Sequence, residues 1–405
     1  MIVIEDKKDC CGCWACANAC PKQCITMVED NEGFRYPQVD ASLCIGCGVC
    51  DKVCPLKKPV VDNEVPLTYV VQNKDRDVRR HSTSGGFYSA ISDYVISRGG
   101  VVFGAAFEAD HVVRHSYAET KAGCVKFQVS KYVQSLIGDT YAQAKRFLEA
   151  GRMVVFSGTP CQIAGLYGFL RNKKYEKLIT VDLVCRGTPS PLLLNRYLCH
   201  QEAVHGSKVI DWKSRDKFYG YDYSTTNIEF EDKNISYHKG SEADILFRLY
   251  FKNICSRPSC YQCHFRTLHR MSDFTIFDCW DAPSVNRKFD DSGATNVFVH
   301  TPNGQAIFEQ LKMYFIWSES NLNDVVRRDG IMIKHNVPEN PRRAEFFKDL
   351  ETLSLDMVEK KYLNCSIFKR VIAKSKPFLY HIKVFKLYMF VKNKLMYYKS
   401  LRVEP

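Results

Sequence analysis

The sequence predicts a mixed α+β and α/β protein with a small cysteine-rich head, a larger α/β module and a basic helical tail. Three observations underlie this prediction. A cysteine motif occurs twice near the amino terminus, short β-rich runs then alternate with helical patterns, and the carboxy-terminal end is basic and aromatic. We expect boundaries near residues 60, 150 and 340. The predicted parts are 1–60, 61–150, 151–340 and 341–405, of which the middle two are halves of one module.

Charge and composition narrow the class of protein. The formal net charge is +12, but residues 366–405 alone contain ten Lys or Arg against one Glu, so the rest of the chain is nearly balanced. This distribution disfavours a nucleic-acid-binding protein. The start of the chain has no apolar stretch of signal-peptide length, which favours a cytoplasmic location. In such a chain, 19 cysteines indicate metal or redox ligands rather than disulfides.

The head carries the strongest motif, C-x2-C-x2-C-x3-C-P, in two copies that start 34 residues apart at Cys10 and Cys44. This spacing is typical of a bacterial-type ferredoxin domain with two [4Fe-4S] clusters, in which each run gives three thiolates to one cluster and its fourth to the other. The expected ligand sets are Cys10, Cys13, Cys16 and Cys54 for one cluster, and Cys44, Cys47, Cys50 and Cys20 for the other. Zinc is the alternative, but its CxxC pairs are usually separated. Cys11 and Cys24 lie outside the pattern and are expected to be small buried residues.

The module after the head alternates strand and helix patterns. The predicted helix is FYSAISDYVISRG (87–99), and the predicted strands are LTYVVQN (67–73), GGVVFGAAF (99–107), GRMVVFSG (151–158), KLITVDLVC (177–185) and RMSDFTIFDCWD (270–281). Alternation of this kind predicts an α/β layer structure. Asp273 and Asp278 in the last strand are either substrate or flavin contacts, or solvated strand positions.

Two of these strands each deliver a cysteine at the carboxyl end, Cys161 and Cys185, and Cys260 and Cys263 form a CxxC further on. Together they offer four ligands, which predicts a third [4Fe-4S] cluster. Cys161 as an activated nucleophile is the alternative, because a Thr-Pro-Cys helix start would lower the pKa of a thiol, although no histidine lies nearby in sequence. Zinc or a redox dithiol remains open for the CxxC, and Cys255 and Cys279 remain open as alternative ligands.

The segment HSTSGGF (81–87) places hydroxyls and two glycines before the predicted helix. Such a segment either exposes backbone amides to an anion or simply caps the helix. Neither G-x-G-x-x-G after a strand nor a P-loop motif is present, so a standard dinucleotide site and a nucleoside-triphosphate site are not supported.

Over roughly residues 1–340, the ordered set of motifs resembles the coenzyme F420 hydrogenase/dehydrogenase β subunit family, which includes F420-linked dehydrogenase β subunits and the chloroplast hydroxymethyl chlorophyll reductase. The resemblance rests on the double ferredoxin run and on STSGG (82–86), SKYVQS (130–135), SGTPCQIAGL (157–166), VDLVCRGTPSP (181–191), SCYQC (259–263) and RMSDFTIFDCWD (270–281). Two segments depart from many relatives: Val-Cys-Arg-Gly (184–187) replaces Val-Cys-His-Gly, and Asp-Cys-Trp-Asp (278–281) replaces Asp-Phe-Trp-Gly. The first departure loses a proton donor and installs Arg186, which suits an anionic group.

The resemblance implies an FAD-containing oxidoreductase, in which the flavin exchanges hydride with a small-molecule redox substrate and single electrons with the clusters. The FAD contacts it implies are Ser82, Ser84, Gly85, Gly86, Lys131, Gly158 and Thr159. It also implies a protein partner that donates or accepts low-potential electrons. It identifies no catalytic residue and does not require coenzyme F420 itself as the substrate.

Two further hypotheses belong to other classes. One is a non-catalytic electron-transfer subunit of a larger redox complex, linked to surface-polysaccharide biosynthesis and docking through its tail. The other is a peripheral membrane protein, since KVFKLYMFVKNKLMYYK (383–399) interleaves lysines with large apolar residues and could lie on an anionic bilayer. A solvated helix or an oligomer contact explains that tail equally well.

Overall fold

The computed structural model describes residues 1–57 and 65–363, together with Leu379 and Val384. Within these residues the strands are β1 (Ile25–Glu29), β2 (Arg35–Val39), β3 (Leu67–Asn73), β4 (Val101–Phe107), β5 (Val113–Ala118), β6 (Val154–Gly158), β7 (Leu178–Leu183), β8 (Val209–Asp216), β9 (Thr225–Phe230), β10 (Ser236–Gly240), β11 (Phe274–Cys279), β12 (Ala294–Val299) and β13 (Phe315–Glu319).

The α-helices of the same residues are α1 (Ala15–Ala19), α2 (Val49–Val53), α3 (Arg76–His81), α4 (Phe87–Ile96), α5 (Lys121–Cys124), α6 (Thr140–Glu149), α7 (Pro160–Phe169), α8 (Pro191–His205), α9 (Ile245–Phe251), α10 (Ala282–Val285), α11 (Pro302–Leu311), α12 (Leu322–Arg328), α13 (Arg343–Thr352) and α14 (Leu355–Tyr362). None of the helices in the described residues is both long and apolar enough to cross a bilayer.

An eight-stranded sheet forms the centre of the α/β module, in the order β13-β3-β12-β11-β7-β6-β4-β5. The inner strands β11, β7, β6 and β4 are parallel, and the outer strands pair antiparallel. The inner strands are rich in buried Val, Ile and Phe because helices cover both faces of the sheet. All five predicted strands are present in this sheet, and the predicted helix is α4. The predicted α/β layer structure is therefore confirmed.

The head consists of the hairpin β1–β2 and the short helices α1 and α2, and it docks on α7. Two glycines of α7 allow this close approach. A Cβ at Gly165 would lie 2.9 Å from the Cβ of Cys13, and a Cβ at Gly168 would lie 2.3 Å from the carbonyl oxygen of Val53. The helix that follows β6 is thus the surface on which the head rests.

A second, three-stranded antiparallel sheet in the order β10-β9-β8 packs with α8, α9, α13 and α14 around a separate core. Sequence patterns did not predict this sheet. The side chain of Arg343 in α13 forms a buried bidentate ion pair with Glu32 of the head, at 2.9 and 2.5 Å. Residues 341–363, the beginning of the predicted tail, are therefore part of the folded body. The basic segment after Cys365 lies outside the described residues.

Candidate functional site

The head thiols surround two separate cavities. Cys10, Cys13, Cys16 and Cys54 line the first, and Cys20, Cys44, Cys47 and Cys50 line the second. Each cavity thus takes three thiols from one motif and one from the other, as the sequence predicts. Because Cys47 is exposed whereas Cys13 and Cys16 are buried, the second cavity lies nearer the protein surface.

A third group of thiols meets at the carboxyl end of the parallel strands. Cys161 follows β6 at the start of α7, and Cys185 follows β7 after one residue. Cys260 and Cys263 come from the segment after α9, and all four side chains line one cavity. Adjacent parallel strands end at the same edge of a sheet, which is why two cysteines far apart in sequence lie together. We call these four residues the third thiol group.

Hydrogen-bond donors point at the sulfurs of this group. The Gly187 amide lies 3.3 Å from the Sγ of Cys185, and the Thr188 amide lies 3.5 Å from the Sγ of Cys260. The hydroxyl of Thr159 also lies 3.1 Å from the Sγ of Cys161, with either atom as the donor. The two backbone amides stabilise negative charge on the sulfurs.

The surroundings of the Cys161 thiol disfavour its activation as a nucleophile. A hydrogen bond with the Cys11 thiol, together with burial, raises its pKa well above the ordinary value. The expected lowering of the pKa by the helix start is outweighed because the site is desolvated and a second thiol lies against the sulfur. Cys11 itself lines both the third thiol cavity and the first head cavity, and it also hydrogen-bonds with Cys13.

The remaining cysteines named as alternatives lie elsewhere. Cys255 is fully buried in the core around the second sheet, and Cys279 is fully buried against Val70 and Phe289. Neither lines the third thiol cavity. Cys24 lies beside the second head cavity, with its Sγ 3.4 Å from that of Cys20.

A larger cavity of about 340 Å³ adjoins the third thiol group. It lies at the carboxyl ends of β6, β7 and β11, between the main sheet and the second sheet. Thr159, Cys185, Gly187 and Thr188 line both cavities. Six of the seven residues predicted as FAD contacts line the larger cavity: Ser82, Ser84, Gly86, Lys131, Gly158 and Thr159.

Gly85, the seventh predicted contact, is not on the cavity wall. Its amide donates to the Oγ1 of Thr295 at 2.8 Å, and a Cβ at this position would lie 2.5 Å from the carbonyl oxygen of Val71. The absence of a side chain at Gly85 therefore lets the segment 82–86 pack tightly against β3 and β12. Its neighbours face the cavity because of that packing.

Two titratable groups on the cavity wall have displaced pKa values. The Nζ of Lys131 donates to the carbonyl oxygens of Lys126 (2.8 Å) and Gln128 (2.6 Å), and burial lowers its pKa to about 7. Burial likewise lowers the pKa of His115 to about 4, so this imidazole is neutral at physiological pH. Its Nε2 donates to the Ser157 carbonyl oxygen at 2.9 Å, while its buried Nδ1 has no hydrogen-bond partner among the described residues.

Asp278 in β11 and Asp273, the residue directly before this strand, have different environments. Asp278 lines the larger cavity and forms a buried ion pair with Arg215 of β8, whose guanidinium lies 4.8 Å from the centre of the Trp280 ring. Asp273 is buried away from the cavity and accepts hydrogen bonds from Thr180 and Thr301. Asp273 is thus structural rather than a solvated position or a contact to a ligand.

Arg186, the residue that departs from many relatives, lines the same cavity. One of its terminal nitrogens donates to the Oδ1 of Asn253 at 2.7 Å, and its guanidinium lies 5.4 Å from the centre of the Phe251 ring. Its buried Nε has no hydrogen-bond partner in the part of the chain that the structure describes. Arg186 therefore places a guanidinium on the cavity wall whose Nε–H is available to a ligand.

Sequence reasoning missed several residues of this region, above all Arg257, Cys11 and Arg215. A charged residue inside the cysteine-rich segment 255–263 was the available signal for Arg257. Arg215 gave no signal, because its strand belongs to the sheet that was not predicted.

Comparison with known proteins agrees with this organisation. Residues 151–322 match the family described as the carboxy-terminal part of the coenzyme F420 hydrogenase/dehydrogenase beta subunit, and residues 9–58 match the 4Fe-4S dicluster domain. A ferredoxin 7Fe of Hydrogenibacillus schlegelii is 33% identical over 64 residues, 15% of this chain and 76% of that protein. NADH-quinone oxidoreductase subunit I 2 of Geobacter metallireducens is 37% identical over 70 residues, 16% of this chain and 53% of that protein.

Among solved structures, the xenon-derivatized F420-reducing [NiFe] hydrogenase complex of Methanosarcina barkeri contains a similar chain. The likeness covers 75% of this chain and 93% of that chain, with a TM-score of 0.41 and 16% sequence identity.

The two-cluster head and the thiol-bearing α/β module define an iron-sulfur electron-transfer protein of oxidoreductase type. Residues 151–322 are related to the carboxy-terminal part of the coenzyme F420 hydrogenase/dehydrogenase beta subunit, and a 4Fe-4S dicluster domain precedes them at residues 9–58.

Proposed function

We propose that this protein passes electrons between the two clusters of its head and an FAD in the larger cavity, through a third [4Fe-4S] cluster on Cys161, Cys185, Cys260 and Cys263. The FAD in turn exchanges hydride with a small organic substrate. The observation that carries the proposal is that the third thiol cavity adjoins the first head cavity at Cys11 and the larger cavity at Thr159 and Cys185. The three sites thus form one continuous series.

The spacing of the sulfurs supports a cluster rather than zinc in the third thiol group. Tetrahedral zinc with bonds of about 2.3 Å holds its sulfurs about 3.8 Å apart. Within the described residues, only His111, Cys199 and Glu202 form a trio of ligand atoms that all lie within 4.8 Å of one another. No three sulfurs of the third thiol group, or of either head group, therefore all lie within 4.8 Å of one another, whereas tetrahedral zinc would require it.

The wall of the larger cavity fits a flavin nucleotide in its donor and acceptor chemistry. The unpartnered Nδ1 of neutral His115 can accept a hydrogen bond from an N–H or O–H of the ligand. Lys131 keeps one ammonium hydrogen after its two carbonyl contacts, and an anionic phosphate would stabilise its charged form. When bound, a flavin would supply the conversion between two-electron hydride transfer and one-electron transfer.

Arg186 is the residue proposed to recognise the substrate. Its Nε, which has no partner among the described residues, can donate to a carboxylate or phosphate. The substrate is therefore an organic redox compound with an anionic group, which includes coenzyme F420-like molecules and others.

An electron-transfer subunit without its own substrate is the second candidate. The observation that favours it is an exposed apolar pair beside the second head cavity: Leu43 is 55% exposed and Ile45 61% exposed, on either side of Cys44. Such a patch suits docking of a redox partner next to a cluster. If purified protein with bound flavin neither oxidises nor reduces any hydride donor or acceptor alone, but does so with a partner, this candidate replaces the first.

Anaerobic purification followed by iron, acid-labile sulfide and flavin assays tests the proposal. We expect about twelve irons and about twelve sulfides per chain, since each [4Fe-4S] cluster contributes four, and one FAD. An iron content of about eight per chain would contradict the proposed third cluster. Absence of flavin after reconstitution with FAD would contradict the proposed hydride transfer.

The membrane hypothesis rests on the segment after Cys365, which lies outside the described residues, and it stays a prediction. Truncation at residue 365 should abolish binding to anionic vesicles if the tail is a membrane anchor. Unchanged vesicle binding would end that idea.

A further inference from the structure

We propose that the Arg257 guanidinium is a counter-cation that raises the reduction potential of the first head cluster. Arg257 is 1% exposed and lies at the junction of the head with the α/β module.

The Arg257 side chain directly contacts Cys10, which lines the first head cavity. Its Nε donates to the Cys10 carbonyl oxygen at 2.7 Å, and one Nη lies 3.5 Å from the Cys10 Sγ. Its other donor contacts are the Gln134 Oε1 at 2.9 Å and the Arg35 carbonyl oxygen at 3.0 Å. The guanidinium also lies 4.2 Å from the centre of the Tyr36 ring.

Arg257 lacks the counter-ion that a buried arginine ordinarily has. Within the described part of the chain, no carboxylate forms an ion pair with it, whereas the buried Arg343 nearby is paired with Glu32. An unpaired buried charge is strongly destabilising. A proposed cluster ligand, the Cys10 thiol, lies 3.5 Å from one Nη of Arg257. The thiolate-bound first head cluster is therefore the compensating charge of Arg257.

The head loop is shaped around this cation. Gly12 has a φ of +66°, and a Cβ at this position would lie 2.8 Å from an Nη of Arg257 and 2.7 Å from the Nε2 of Gln134. A glycine thus gives the guanidinium access to the loop that holds Cys10 and Cys13. The approach is specific to the first head cavity, because none of the contacts of Arg257 involves a thiol of the second.

A nearby positive charge and an N–H···S bond both stabilise the more negative, reduced state of a cluster, which raises its potential. Arg257 acts through the cluster ligands and is a positioning and tuning residue, not a catalytic one. Its effect should be selective for one of the two head clusters.

An EPR-monitored redox titration of the anaerobically purified full chain tests the proposal. In Arg257→Gln, one of the two head potentials should fall while the other stays unchanged. Arg257→Lys should lower the same potential by less, because an ammonium retains the charge but cannot make all the contacts of the guanidinium. Lys145→Gln is the control: the side chain of Lys145 on α6 is 44% exposed and lines none of the three thiol cavities, so both head potentials should stay unchanged.

If Arg257→Gln fails to retain the first head cluster, Arg257→Lys decides the matter. Unchanged potentials in every variant that retains its clusters, or equal shifts of both head potentials, would overturn the proposal. Failure of the proposed function is recognised separately, as a missing flavin or an iron content of about eight. In that case the head potentials still report on Arg257.

Discussion

The hydroxyl of Thr159 lies 3.1 Å from the Sγ of Cys161, and Thr159 lines both the third thiol cavity and the larger cavity. Thr159 is also the N-cap of α7, and its amide and hydroxyl both hydrogen-bond the Gln162 side chain. The turn that follows β6 therefore positions both the Cys161 thiol and part of the wall of the larger cavity. We propose that this arrangement keeps the distance for electron transfer between the two sites short.

Replacing Cys161 with Ala should remove about four irons per chain and spare the head, because loss of one of the four thiolates should hold the third cluster too weakly for it to survive purification. Iron and sulfide assays measure this directly. Cys199→Ala is the matched control, since Cys199 is exposed on α8 and lines none of the three thiol cavities. An iron content of Cys161→Ala equal to that of the wild type would contradict the ligand assignment.

Replacing Cys255 or Cys279 with Ser should leave the iron content unchanged, because neither lines the third thiol cavity. The expected effect is instead on stability, and it should be larger for Cys255, whose thiol lies in an apolar core, than for Cys279, whose Sγ accepts from an Nη of Arg328 at 3.5 Å. Iron assay and urea denaturation separate the two effects. Loss of about four irons from either variant would mean that the ligand set is different.

Binding of FAD should weaken as the pH rises above about 7. Burial lowers the pKa of Lys131 to that value, so the free protein loses the lysine charge there, whereas an anionic ligand binds the charged form. The dissociation constant should increase by up to about tenfold per pH unit above the pKa. Fluorescence titration between pH 6 and 9 measures it.

The control for this pH dependence is Lys126→Gln, which removes an exposed lysine five residues away and should keep the pH dependence. Lys131→Gln should bind FAD weakly at every pH. A wild-type affinity that is constant across the range, or a Lys131→Gln variant with the same slope, would show that Lys131 does not contact the anion.

Gly168→Ala should weaken docking of the head on α7. Its new Cβ would lie 2.3 Å from the Val53 carbonyl oxygen, which belongs to the backbone and cannot rotate away. We expect a loss of about 1–3 kcal/mol in the free energy of unfolding, despite the higher helix propensity of alanine. Gly123→Ala is the control, because its Cβ would meet neighbouring atoms no closer than 3.1 Å. A Gly168→Ala variant as stable as the wild type would contradict this packing.

The sequence was sufficient to predict those ligand residues that are brought together by motif spacing or by neighbouring strands that end at one sheet edge. The head ligand sets follow from motif spacing, and Cys161 and Cys185 follow from two strands that end at one sheet edge. Other features depend on tertiary contacts. Cys11 meets Cys161 only because the head docks on α7, and Arg257 reaches Cys10 across 247 residues of chain. The β8–β10 sheet was missed because its short strands carry many polar residues.

The central claim is that electrons reach the flavin from the head through the third thiol group. The most direct test is anaerobic stopped-flow spectroscopy, with a reduced ferredoxin as donor to the flavin-loaded protein. In the wild type, flavin bleaching should follow cluster reduction. In Cys161→Ala, which should keep the head clusters and the flavin, cluster reduction should persist while flavin reduction becomes much slower, and Cys199→Ala should behave as the wild type. Equally fast flavin reduction in Cys161→Ala would contradict the account.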